Sequence, residues 1–264
     1  MPFFQYNGLT LHYVDVDNRK DRAKGIPLLF VHGAGSSHIC WALQLKEFSK
    51  THRTIALDLS GHGESEGNDG EASIIDGYSH EVYALVRHLD LQEFIMIGHS
   101  MGGGVAMAYL LNGYEVNPKA LVLVDTSPDL DLSKLATGLV KEAMEDTLFL
   151  LKSRFFEDYT DTYKIKKYEN DIRIANPNIM ARDLRACDKF DITDRLSLID
   201  IPVFVLVGEC DDVIPPSLVQ TFVRKLPRSD LAIVRNADHT PMIEQPKEFN
   251  RLMRKFIVWV ENNH

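Results

Sequence analysis

The sequence predicts an α/β fold: a mostly parallel central sheet with helices on both faces, broken once by a helical insertion. Three observations carry this. Short apolar runs of strand length alternate with segments of helical period along most of the chain. One of those runs, Phe94-Ile95-Met96-Ile97, ends in Gly98-His99-Ser100-Met101-Gly102 and passes directly into an Ala- and Gly-rich helical segment. The rhythm then fails between Asp129 and Asp200, where no strand-like run occurs.

Each element has its own local cause. Residues 3–7 and 10–16 read as two short strands joined at Asn7-Gly8, an Asn-Gly pair being a strong hairpin signal. Pro27–Val31 is a buried strand that runs into His32-Gly33-Ala34-Gly35-Ser36-Ser37, a loop with so little side-chain bulk that its backbone N–H groups can approach a ligand. Trp41–Phe48 has the spacing of a short amphipathic helix, and Thr54–Asp58 is another buried strand, followed by the compact loop Leu59–Ser65. Ile75, Tyr78, Val82, Leu85, Val86 and Leu89 repeat at helical spacing, so one face of that helix lies on the sheet. Lys119–Asp125 is the strand after the serine segment.

The insertion reads as a helix over 131–151 with Asp131 as its cap, then an aromatic and charged stretch containing Phe155, Phe156, Tyr159, Tyr163 and Tyr168. A further helix opens at Asn176-Pro177 and runs to about Cys187, with proline at its first position. Strands resume at Pro202–Val207 and Leu231–Val234, with helices over Pro216–Leu226 and from Pro246 to about Glu261. Residues 1–127 and 200–264 are therefore expected to form the core, and residues 128–199 a cap placed where a lid would close on the serine.

Bulk composition narrows the function. With 264 residues, 45% of them apolar, the chain can bury one sizeable core. A formal charge of -9 without a basic patch argues against nucleic acid. Three cysteines far apart (Cys40, Cys187 and Cys210) suit neither a disulfide framework nor a zinc site and point to a reducing compartment. No apolar run reaches membrane-spanning length and no leader is evident, so the expectation is a cytoplasmic protein with a small-molecule substrate and no membrane partner. Nothing in the sequence bears on oligomeric state. Asp58 and His62 lack further metal ligands nearby in sequence and are expected to stabilise turns.

The chemistry centres on Ser100. A serine hydroxyl is a poor nucleophile near neutral pH and needs a positioned base, itself oriented by an acid. Groups able to meet Ser100 must sit just past the ends of other parallel strands, as Asp211 and His239 do, in the chain order Ser, Asp, His.

Five motifs in order, His32-Gly33-Ala34-Gly35, Asp58-Leu59-Ser60-Gly61-His62-Gly63-Glu64-Ser65, Gly98-His99-Ser100-Met101-Gly102-Gly103, Gly208-x-x-Asp211-x-x-x-Pro215 and Asp238-His239-Thr240-Pro241, make the chain resemble the serine-nucleophile, cap-bearing branch of the α/β-hydrolase superfamily over nearly its whole length. The resemblance implies Ser100 as nucleophile, His239 as general base and acid, Asp211 as orienting carboxylate, and the backbone N–H groups of Ala34 and Met101 as oxyanion donors. Asp212 adjoins Asp211, and some relatives carry the acid one strand earlier, where Asp125 stands. The elbow bears serine and not aspartate, so the likeness to epoxide hydrolases and haloalkane dehalogenases stops at the fold. The implied activity is that of a carboxylesterase on small or medium apolar esters, with no metal or organic cofactor. Thioesters, carbon–carbon bonds of diketones and perhydrolysis use the same elbow, and a non-catalytic ligand binder is the reading from another class. His99 is expected to point away from the serine, and His32, His38 and His62 to be structural. Phe155, Phe156, Tyr159 and Met180 are candidates either for an apolar pocket or for the cap's own core.

Overall fold

The computed structural model describes residues 2–21, 25–67, 70–131 and 177–263. Eight strands form one sheet: β1 (Phe3–Tyr6), β2 (Leu9–Val16), β3 (Leu28–Val31), β4 (Thr54–Leu57), β5 (Ile95–His99), β6 (Ala120–Val124), β7 (Val203–Gly208) and β8 (Ser229–Val234). Their order is β1-β2-β4-β3-β5-β6-β7-β8. The β1–β2 and β2–β4 pairs are antiparallel, and every other pair is parallel. The first hairpin turns at Asn7 and Gly8, both with positive φ (48° and 79°), the geometry that Asn-Gly tolerates best.

The helices are α1 (Ala42–Phe48), α2 (Ser79–His88), α3 (Met101–Leu111), α4 (Pro177–Asp188), α5 (Pro216–Val223), α6 (Pro241–Glu244) and α7 (Pro246–Asn263). Alternating strand residues feed two separate cores. Val31, Met96, Leu121, Leu123 and Val205 pack on one face with residues of α2 and α3. Phe30, Ile97, Val122 and Leu206 pack on the other with Trp41, Phe48 and residues of α7. Period-two alternation inside fully apolar strands is what a parallel sheet covered on both sides requires.

Three of the differences from the sequence expectation have a clear local reason. The first turn before α1 is a tighter helix over His38–Trp41, started by the Ser37 side chain accepting from Ile39 N. Ahead of α2 the chain makes a wider π-helical turn over Ile74–Tyr78. There Asn112 Nδ2 donates to the Ile75 carbonyl at 2.8 Å, and a side chain bonded into the helix ladder loosens it. Helix α5 stops at Val223, whose carbonyl accepts from Ser229 Oγ at 2.9 Å.

The helix expected over 131–151 and the aromatic stretch around Phe155–Tyr168 lie outside the described residues. The ends of the insertion are described and run side by side: Ile192 N donates to the Pro128 carbonyl (2.9 Å) and Leu130 N to the Phe190 carbonyl (3.2 Å). Helix α4, expected from Asn176-Pro177, brings the chain back toward the sheet, with Met180 half-buried on it.

Candidate active site

Ser100 sits between β5 and α3 with φ 52° and ψ -120°, a conformation that costs a non-glycine residue on the order of 1–3 kcal/mol. The surroundings hold it there. Its N–H continues the sheet ladder to the Val124 carbonyl (2.9 Å), while its own carbonyl accepts from Gly103 N (2.8 Å) and Thr126 Oγ1 (2.7 Å). A Cβ on Gly98 would stand 2.2 Å from the Gly102 carbonyl oxygen, and one on Gly102 would stand 2.4 Å from that of Val31. Backbone fills those spaces, so neither position admits a side chain. The following helix starts at Met101, and N–H groups in a first helical turn have no intrahelical acceptor. They supply donors and a partial positive charge beside the serine.

Asp211 and His239, from loops after β7 and β8, meet: His239 Nδ1 and Asp211 Oδ2 are 2.9 Å apart. Asp211 Oδ1 accepts from Val213 N and Ile214 N, both at 2.8 Å, which fixes the carboxylate plane. Burial alone would raise the Asp211 carboxyl, but the facing His239 ring and the loop N–H groups hold it below the usual carboxylate range. Asp212, its neighbour, is exposed. The pair is brought to the elbow by His99, whose Nε2 donates to the His239 carbonyl (2.7 Å) and whose ring lies 5.0 Å from the His239 ring. Burial, then the neighbouring His239, push the His99 imidazole down to about 3, so it serves as a neutral strut.

Asp125, at the end of β6, accepts from Gly208 N at 2.8 Å and is wholly buried. Burial first, and then the charge of Asp211, push its carboxyl well above the usual range. It stands behind Asp211, with its protonated form favoured.

The His32–Ser37 loop lies against the elbow: a Cβ on Gly33 would come within 3.1 Å of Ser100 Cβ. His32 anchors it, bonding the Gly33 carbonyl through Nδ1 (2.8 Å) and accepting Leu59 N at Nε2 (3.1 Å). Burial pushes this imidazole down to about 4. Ser36 N closes a turn onto the Gly33 carbonyl (3.2 Å), leaving Ala34 half-buried at its tip.

Among the described residues, His12, His38 and Asp58 form the one group of three potential metal ligands, with ligand atoms within 4.8 Å of one another. Their contacts are those of hydrogen bonds. Asp58 Oδ2 lies 2.7 Å from His12 Nδ1 and 2.9 Å from His38 Nδ1, and Oδ1 accepts His38 N at 2.6 Å. Ligand atoms around a tetrahedral zinc stand about 3.3 Å apart. Asp58 is thus a structural pin, as its turn position suggests, and His12 and His38 are partners that its local sequence does not reveal.

A family model described as the alpha/beta hydrolase family matches residues 28–252. The chain belongs to the alpha/beta hydrolase family. Its curated relatives include the AB hydrolase superfamily protein YisY of Bacillus subtilis, 24% identical, with 93% of this chain and 98% of that protein covered. Another is the bifunctional esterase/perhydrolase DCH of Acinetobacter calcoaceticus, 29% identical over 76% of this chain and 80% of that protein. Among solved structures, a thermophilic esterase from Thermogutta terrifontis (malate bound) superposes with a TM-score of 0.73 at 26% identity, covering 98% of this chain and 97% of that one.

In this alpha/beta hydrolase, sequence reading missed the residues that act through others. His99 is visible as part of the elbow motif, but its bond to residue 239 spans 140 positions. Asp183 and Arg182 of α4 are buried side by side. One signal was present: Ile179, Arg182, Asp183, Ala186 and Cys187 follow the helical apolar period, so two charged residues occupy core-facing positions.

Proposed function

We propose that the chain is a serine hydrolase that cleaves carboxylic esters of small or medium apolar acyl groups through an acyl-enzyme. The observation that carries this is the Asp211–His239 pair held beside the strained Ser100 elbow by His99. Ser100 Oγ attacks the ester carbonyl as His239 takes its proton, while Asp211 stabilises the ring's charge and tautomer. The N–H groups of Ala34 and Met101 donate to the tetrahedral oxyanion. On collapse His239 passes the proton to the leaving alkoxide, and a water molecule, deprotonated by the same ring, then releases the acid. Residues 128–199 act as the lid that selects the acyl chain. The esterase names among the relatives support the ester bond as target.

Replacing Ser100 by Ala should abolish turnover of p-nitrophenyl butyrate and covalent labelling by a fluorophosphonate. Undiminished hydrolysis by the variant would refute the assignment, and a wild-type protein inert to both reagents would favour a ligand-binding role.

A second reading concerns the acyl acceptor. The Acinetobacter relative is named a bifunctional esterase/perhydrolase. In this reading hydrogen peroxide replaces water at the acyl-enzyme and the product is a peracid. Buried, free Cys40 and Cys187 fit a reducing, cytoplasmic setting for either activity.

A further inference from the structure

One buried ionic cluster has no part in the chemistry above, yet it touches the oxyanion loop. Asp183, on the helix that returns from the insertion, is fully buried. Its Oδ2 accepts from Gly35 N at 2.8 Å and lies 2.7 Å from His62 Nε2, and its Oδ1 accepts from the Tyr78 hydroxyl. The other ring nitrogen of His62 bonds the Ser60 carbonyl (3.1 Å). Arg182, next in the chain, donates to the Ser60 carbonyl and to Tyr78 Oη (2.7 Å). The loops after β3 and β4, the π-helical turn and α4 all converge on one carboxylate. Burial would raise the Asp183 carboxyl, but His62, Tyr78 and the Gly35 N–H keep it below the usual range. Buried charges seldom repay their desolvation in stability, whereas their directed bonds do fix geometry.

The bond to Gly35 is the one that reaches the reaction. Gly35 N belongs to the Ala34–Gly35 peptide, and Gly35 has φ 60° within the turn closed by Ser36 N on the Gly33 carbonyl. The Ala34 N–H lies in the preceding peptide, whose Gly33 carbonyl is held by His32 Nδ1 and Ser36 N. Pinning the next plane at Gly35 N from outside the turn fixes the other side of Ala34 and so limits rotation of that N–H.

We propose that Asp183 is a positioning residue: through the Gly35 N–H it holds the Ala34 N–H aimed at the developing oxyanion, and so couples the return helix of the insertion to the oxyanion site. This rests on the serine-hydrolase reading and goes beyond it, since a helix of the insertion then tunes the chemical step as well as substrate access. An oxyanion donor counts most in the transition state, so its misdirection lowers kcat and leaves KM nearly untouched.

The test compares Asp183→Asn with Tyr78→Phe in the full-length protein. The asparagine has one oxygen for three donors and loses the charge. The phenylalanine removes a partner of Asp183 but leaves the Gly35 bond intact. Ester turnover and fluorophosphonate labelling by the unaltered protein are measured first, and failure there counts against the hydrolase reading rather than against Asp183. With p-nitrophenyl butyrate, Asp183→Asn should lower kcat about 10- to 100-fold with KM changed less than about threefold. Its inhibition constant for a trifluoromethyl ketone, which forms a tetrahedral adduct with the serine, should rise by the same factor as kcat/KM falls. Tyr78→Phe should keep kcat within about threefold even where its melting temperature falls equally. Asp183→Glu, which retains the charge but shifts the carboxylate by one methylene, carries the same kcat expectation if the asparagine variant does not fold. Unchanged kcat in a folded Asp183 variant, a rise in KM alone, or equal kcat losses in the Asp183 and Tyr78 variants would overturn the proposal.

Discussion

Two of the buried carboxylate–imidazole pairs, His239–Asp211 and His62–Asp183, have nearly identical contacts. His239 Nδ1 meets Asp211 Oδ2 at 2.9 Å, and His62 Nε2 meets Asp183 Oδ2 at 2.7 Å. Each carboxylate also accepts backbone N–H groups, from Val213 and Ile214 in one case and Gly35 in the other. The difference lies in the second ring nitrogen. That of His62 is bonded to the Ser60 carbonyl and its side chain is 0% exposed, while the His239 side chain is 10% exposed. A ring with both nitrogens engaged can only hold structure. A ring tied at one nitrogen and partly exposed near the Ser100 elbow is free to move a proton. The Asp–His pair alone therefore carries no functional meaning; the company of the remaining nitrogen does.

The sharpest way to break this comparison is to neutralise each carboxylate that stands near His239. Asp211→Asn should lower kcat about 10^4-fold, because the amide favours the wrong tautomer of His239. Asp125→Asn should cost less than about tenfold: burial favours the protonated form of Asp125, and an amide oxygen can still accept from Gly208 N. Steady-state kinetics on one ester decides it. Equal losses would mean that the two acids share the orienting role.

A smaller effect is expected at Asp58. Asp58 resembles Asp183 in the number of donors on its carboxylate, since it accepts from His12, His38 and the backbone N–H groups of His38 and Glu64. Burial alone would raise its carboxyl, but His12 and His38 hold it far below the usual carboxylate range. Asp58→Ala leaves those donors buried and unpaired and should cost about 3–5 kcal/mol in denaturant titrations. The kcat of the folded fraction should fall far less than in Asp211→Asn, and a comparable loss would show that Asp58 also serves the reaction.

How much of this was legible in sequence follows from the range of the signals. Strands, most helices and the hairpin at Asn7-Gly8 rest on periodicity and turn residues within a few positions of one another. The elbow was legible because its glycines must be local. The bond from Asp183 to Gly35 spans 148 positions, and that from Asp125 to Gly208 spans 83. No local pattern announces a partner at that distance. His62 and Asp58 are legible as turn residues, but their partners Asp183, His12 and His38 are not. Only Arg182 and Asp183, lying on the apolar stripe of α4, broke a local rule in a way that marks a buried network.

The smallest effect concerns His99, the strut under the His239 loop. His99 is buried and neutral, pushed down to about 3 from an ordinary 6.5. Between those values the unfolded chain binds a proton at this position and the folded chain does not. Stability must therefore rise with pH there, and fall on acidification by up to ~1.4 kcal/mol per pH unit from this one ring. Other groups act in the same range. His32 acts in the same direction, whereas Glu81 and Asp125, raised by burial, bind protons preferentially in the folded state and oppose it. The total slope is a balance, but a difference isolates one term. In His99→Gln the side-chain amide can still donate to the His239 carbonyl and has nothing to titrate. Below pH 6.5 the wild type should lose stability faster than the variant by about 1.4 kcal/mol per unit, with the opposing carboxyls cancelling between them. Denaturant titrations at pH 7.5, 6 and 5 read this directly. Parallel stability curves would mean that His99 takes up its proton in the folded state, and that the support under His239 is itself a charged group.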